Sequence, residues 1–180
     1  MPYAYVALLR AINVGGNNKL PMKDLAAMFA SAGCAAVQTY IQSGNVIFQA
    51  DADVANQIPG RIAGEIAERF GYRTPVILRT TEQLRDAIGN NPYLARGVTE
   101  DELHLMFLAD VPSATRVAAL DPDRSPPQTY VVRGRDIYMH LPRGVAGTKL
   151  TNAYFDSKLA TVSTLRNWRT VTKLLELMGG

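Results

Sequence analysis

The segment Val37-Gln38-Thr39-Tyr40-Ile41-Gln42-Ser43-Gly44-Asn45-Val46-Ile47-Phe48-Gln49-Ala50 reads as two short strands, Val37–Gln42 and Val46–Ala50, closed by a tight Ser43-Gly44-Asn45 turn. On its own this is only a hairpin, and its flanks give it meaning. Upstream, Tyr3–Arg10 is apolar with β-branched and aromatic content and reads as a buried strand. Gly15-Gly16-Asn17-Asn18 breaks that strand, and Pro21 opens a helix carrying Met22, Leu25, Met28 and Phe29 at helical spacing until Gly33. Downstream, Asp53 can cap a helix on Val54, Ile58, Ile62 and Ile66 that reaches Phe70, with Pro59-Gly60 expected to kink it or delay its start. Gly71 stops it, and Pro75–Arg79 is another strand. The order β-α-β-β-α-β is the ferredoxin-like split βαβ unit.

The second half echoes the first. A short helix, Thr81–Ile88 with Thr81 as its cap, ends at Asn90-Asn91-Pro92. Glu102–Ala109 is a strand whose two faces are both largely apolar, and Pro112 starts a helix ending near Leu120. A polar loop with three prolines, Asp121–Pro127, leads into a hairpin of Thr129–Arg133 and Asp136–Leu141 around Gly134-Arg135. Helices are predicted over Asn152–Leu159 and Ser163–Met178. This half reads β-α-β-β-α, lacking a last strand, and no residue motif repeats between the halves. The expectation is an α+β protein of two tandem ferredoxin-like subdomains with mainly antiparallel sheets, 1–90 and 91–180, the second ending in a basic amphipathic helix.

Composition narrows the function classes. The chain has 180 residues, 47% of them hydrophobic and 19% charged, which is a globular rather than a disordered composition. A chain of this length buries about 70% of its unfolded surface and needs no staple. The single cysteine, Cys34, excludes a disulfide framework and any multi-cysteine metal site. No run of 18 apolar residues occurs, so no membrane span is expected. The first ten residues lack a leading basic stretch and a cleavage site, and a reducing cytoplasm is the expected compartment. Net charge is +3, but residues 141–180 hold six lysines and arginines against Asp156 and Glu176. A basic tail of this kind points to an anionic partner, or to an ordinary solvated helix face.

Two constellations bear on chemistry. The first is the loop Ala11-Ile12-Asn13-Val14-Gly15-Gly16-Asn17-Asn18-Lys19, whose glycines permit close backbone approach ahead of a helix start. It is neither a P-loop nor a dinucleotide fingerprint, and it also reads as a wide turn. Ferredoxin-like strand order brings this loop and the Ser43–Asn45 turn to one sheet edge. Arg10, Asn13, Gly15, Gly16, Lys19, Ser43, Gly44 and Asn45 are therefore expected to converge as an anion pocket. The second is Thr164–Lys173. There Leu165, Trp168, Val171 and Leu175 form an apolar stripe, leaving Arg166, Arg169, Thr170 and Lys173 on the other face. Arg166, Asn167 and Lys173 are candidate ligand contacts. His104 and His140 lack further ligands at metal spacing, so no metal site is expected. Cys34 sits in an apolar setting with no histidine tied to it, and Glu100-Asp101-Glu102 reads as a solvated run.

The segments Tyr5–Gly16, Gln42–Phe48 and Arg166-Asn167-Trp168, with Asn91-Pro92-Tyr93 and Lys149-Leu150, resemble the bacterial family termed "domain of unknown function 1697". The likeness spans nearly the whole chain. Ala11 departs from it, standing where the family pattern usually has glycine. The resemblance implies paired ferredoxin-like subdomains and no established activity. The expected function is binding of a small phosphate-bearing or nucleotide-like anion at the edge of the first sheet; binding is favoured over catalysis, since no carboxylates stand beside the loops to hold a metal for phosphoryl chemistry, and no cofactor is expected. The alternatives are an RNA-binding module, although Ser43–Gln49 lacks the paired aromatics of that class, and a ligand-free protein-interaction module.

Overall fold

A computed structural model describes residues 2–180. The chain divides into two compact units, one formed by residues up to Arg85 together with Leu174–Gly180, the other by Asp86–Lys173.

In the first unit, β1 (Tyr3–Leu9), α1 (Met22–Ser31), β2 (Ala35–Tyr40), β3 (Asn45–Ala50), α2 (Ala52–Phe70) and β4 (Val76–Thr80) follow the expected order. The sheet order is β2-β3-β1-β4 with every neighbouring pair antiparallel, as in a ferredoxin-like unit. Alternation along the strands sends Ala7, Leu9, Val46 and Phe48 towards the helices, where they meet Leu25, Met28 and Phe29 of α1 and Ile58, Ile62 and Ile66 of α2. Phe48 is fully buried, with its ring 5.5 Å from Tyr5 and 5.2 Å from Phe29. Val6 and Leu8, on the opposite face of β1, are equally buried, so the strand reads as a continuous apolar run. α2 runs unbroken through Pro59 and ends on Gly71, whose φ of 78° places it in the left-handed region that favours glycine.

β4 passes into α3 (Thr81–Gly89) with no residue between them. Thr80, rather than Thr81, caps this helix. The Gln83 N–H donates to Thr80 Oγ1 (3.1 Å) and the Thr80 N–H donates to Gln83 Oε1 (3.0 Å), a reciprocal capping box.

The second unit contains β5 (Leu103–Leu108), α4 (Ala114–Ala118), β6 (Thr129–Arg133), β7 (Asp136–His140), α5 (Asn152–Leu159) and β8 (Ser163–Asn167), and α6 (Trp168–Leu177) begins in it. Its sheet order, β6-β7-β5-β8, is again all antiparallel. Met106, Leu108, Ile137 and Met139 pack with Tyr154, Phe155 and Leu159 of α5.

The helix expected over Ser163–Met178 is thus divided. Ser163–Asn167 is the missing sixth element of the repeat, paired with β5 from His104↔Asn167 to Leu108↔Ser163. No glycine or proline marks the junction, and the apolar spacing carries straight across it. Instead Asn167 caps the new helix by accepting the Thr170 N–H at 2.9 Å. Arg166, expected on an exposed helix face, therefore lies in β8, the strand at one edge of this sheet, and is 7% exposed. Trp168 is buried, as the stripe required, with Val171 and Leu174 beyond it.

The repeat also reaches single residues. Val6 pairs with Arg79 as Leu105 pairs with Arg166, and both arginines are buried. Each guanidinium donates to the carbonyl of the residue before it, Leu78 at 2.9 Å and Leu165 at 2.8 Å.

Candidate functional site

The two loops expected to meet at the sheet edge do meet. The Leu9 N–H donates to the Gly44 carbonyl at 2.9 Å, and Asn13 Nδ2 donates to the Gln42 carbonyl at 3.0 Å. Asn13 also donates to Leu20 O (2.9 Å) and accepts from Leu20 N (2.8 Å), so its amide staples the loop shut. Asn45 is fully buried and donates to Tyr40 O and Ser43 Oγ, which holds the hairpin turn. Gly44 has φ +84°, and a Cβ there would lie 2.8 Å from Ile12 Cδ1 and 2.9 Å from Leu9 Cβ. The close approach that demands this glycine is between the loops of the protein itself. Gly15, Gly16 and Lys19 are exposed further along the loop.

Arg10 turns to another wall. Its backbone is fixed by Thr74, whose Oγ1 donates to the Arg10 carbonyl at 2.5 Å, and by the Arg10 N–H, which donates to Pro75 O at 3.3 Å. Its half-buried side chain borders a groove of about 770 Å³ with Arg73, Thr74 and Pro75 on one side and α2 on the other. The α2 wall is made of Gly60, Ala63, Gly64, Ala67 and Glu68. A Cβ added at Gly60 or Gly64 would meet nothing within 4 Å, so neither glycine is required by packing. Each nevertheless costs a helix interior about 1 kcal/mol relative to alanine. The sequence pattern predicts a kink or a delayed helix start at Pro59-Gly60 and does not single out Gly64, Glu68 or Arg73. The available signal was a pair of glycines four apart in an otherwise regular helix.

Arg166, Asn167 and Lys173 belong to the second unit. Arg166 donates to Thr164 Oγ1 as well as to its neighbour's carbonyl, and burial pushes its guanidinium down to about 10. Asn167 serves as the helix cap, and Lys173 is half-buried and engaged within the protein. Among the described residues no group of three or more histidine, cysteine or acidic side chains could hold a metal ion. Cys34 is buried, and desolvation raises its thiol above the ordinary range, as expected of an unreactive core cysteine. Among the described residues no helix is long and apolar enough to cross a membrane.

Two ferredoxin-like halves of matching strand order, the first bordered by an arginine-lined groove, define a duplicated α+β protein. Residues 3–138 match the family described as "Protein of unknown function (DUF1697)", and the chain belongs to that family. It also resembles the solved structure of the conserved bacterial protein SP0830 from Streptococcus pneumoniae. That likeness has a TM-score of 0.75 at 21% identity and covers 99% of each chain; it is a likeness of fold. No curated protein matches.

Proposed function

We propose that the protein binds a small phosphate-bearing anion in the groove between α2 and residues 73–75 of the first unit. The observation that carries this reading is the joint lining by Arg10 and Arg73 above a floor of two glycines that packing leaves unexplained. Glu68 is the one carboxylate among the residues that line the groove, against two arginines. Arginine pairs recognise phosphate and carboxylate oxygens through charge-assisted hydrogen bonds worth about 1.5–3 kcal/mol each.

The second unit supports the reading by contrast. There Ala109 N–H donates to Val162 O at 2.9 Å, in the place of the Arg10–Pro75 bond. Alanine thus occupies the arginine's position, and α5 has eight residues with no glycine among them. The arginine and the glycine pair belong to one copy of the repeat. The RNA-reading alternative asks for aromatic rings open to solvent on the sheet, whereas Tyr5 stacks on Phe48 at an interplanar angle of 18°.

Titration calorimetry with nucleoside monophosphates and sugar phosphates tests the proposal. Arg73→Ala is expected to weaken binding while leaving the melting temperature nearly unchanged. Gly64→Ala is expected to act in opposite directions, stabilising the fold by about 1 kcal/mol while weakening the ligand. A wild-type protein that binds none of these compounds, or variants that bind them equally well, would remove the groove from consideration.

A further inference from the structure

The second unit contains a loop with no counterpart in the first. Only Asp51 separates β3 from α2, whereas eleven residues, 141–151, separate β7 from α5. A polar network around one buried side chain holds this loop in shape. Gln128 is 6% exposed; its Nε2 donates to Gly144 O (3.2 Å), and its Oε1 accepts from Ser125 Oγ (2.8 Å) and Thr148 Oγ1 (2.5 Å). Ser125 Oγ in turn accepts the Lys149 N–H at 3.2 Å.

Against this frame Arg124 is fixed in a particular way. Its guanidinium carbon lies 4.2 Å from the centre of the Tyr154 ring, and its Nε donates to the Lys149 carbonyl at 3.3 Å. Stacking sets the plane of the guanidinium and the Nε bond sets its rotation. Both terminal amino groups are left without a partner among the described residues. Asp121 and Asp123 flank Arg124 in sequence, yet neither pairs with it; Asp121 Oδ1 instead accepts the Asp123 N–H. The ammonium of Lys149 and the guanidinium of Arg143, carried by the same loop, are likewise unpaired among the described residues. A two-donor guanidinium held against the backbone of Lys149, on a loop that carries a further exposed arginine, suits a planar pair of oxygens on a doubly charged group.

We infer that Arg124, with Lys149, forms a second anion site, independent of the groove, that takes the phosphate of a phosphate monoester. A monoester carries close to two negative charges near neutral pH, which suits several cations better than a single carboxylate does.

The test is a heteronuclear NMR titration of the full chain with inorganic phosphate, ribose 5-phosphate and a phosphoserine peptide. Amides of residues 144–149 are the local readout and those of residues 73–75 report on the groove. Saturable shifts at 144–149 that survive in Arg73→Ala are expected. Arg124→Lys keeps the charge but loses the fork, and is expected to weaken binding about tenfold or more. Lys149→Gln is expected to weaken it less. The phosphopeptide and ribose 5-phosphate arms separate a protein-borne monoester from a free one, and tighter binding of either supports the site. Absence of saturable shifts at 144–149, an adventitious ion only (shifts with phosphate that no monoester reproduces), or undiminished affinity in Arg124→Lys overturns it. Thr148→Val, which removes one hydrogen bond to Gln128 and no charge, guards against a folding artefact. It should lower affinity while the dispersed spectrum of the fold remains.

Discussion

Asn13 and Gly44 are the residues through which two distant loops become one edge. Asn13 was read as a ligand contact because of its loop position, but its amide joins three backbone groups of the protein. Asn13→Ala should therefore destabilise by about 2–3 kcal/mol in denaturant unfolding. Gly44→Ala should cost about 3 kcal/mol or more, since both the steric conflict and φ +84° oppose a side chain. Ala11 supplies the reverse case. It holds φ 57° where the family pattern usually has glycine, so Ala11→Gly should raise stability by about 0.5–1 kcal/mol. His104 sets a pH dependence. Burial lowers its pKa below the ordinary 6.5, and its Nδ1 is buried without a hydrogen-bond partner. The unfolded chain then takes up the proton first, so stability should fall as pH drops through the ordinary histidine value of 6.5. Comparison of wild type with His104→Gln across that range isolates the contribution, and equal slopes would assign it elsewhere.

Among the elements, the junctions where a strand becomes a helix without a turn were the hardest to read. Strands β1 to β4 were legible because glycine, proline and a change of period bound them. β8 was not legible, because Leu165, Trp168 and Val171 keep helical spacing across a boundary that only Asn167 marks. Its β-branched start and the unpaired edge of β5 were the physical reasons to expect a strand. Removing either cap should be measurable: Thr80→Ala and Asn167→Ala should each cost about 1 kcal/mol. Asn167→Asp should keep most of the stability, and a loss equal to that of alanine would argue against the capping role.

At the scale of the whole molecule, topology was visible in the sequence and its residue-level echo was not. Arg79 and Arg166 occupy matching register positions, but the sequence around them shares only a preceding leucine and a following helix-capping residue, and the pairing with Val6 and Leu105 is what makes them equivalent. The groove escaped for a related reason. Arg10 and Arg73 are 63 positions apart, and Arg10 is held beside this segment by the Thr74 hydroxyl and the Pro75 carbonyl, bonds that no local pattern announces. The sole tryptophan, Trp168, is 1% exposed. Its emission should shift to longer wavelength in a single step if the chain unfolds as one cooperative system, and a separate transition seen only by circular dichroism would indicate that it does not.

The division of the chain has a consequence for its birth on the ribosome. The first unit is made of residues up to Arg85 and also of Leu174–Gly180, with the whole second unit translated between them. Leu174 is fully buried, and Leu175, Leu177 and Met178 are half-buried. Nascent chains emerge at about 5–20 residues per second, and most domains fold in the order in which they appear. Here the part made first must wait, incomplete, for the part made last. A stalled or prematurely terminated message would therefore leave its weakest structure at the beginning of the chain, which is where proteases and chaperones would be expected to engage it.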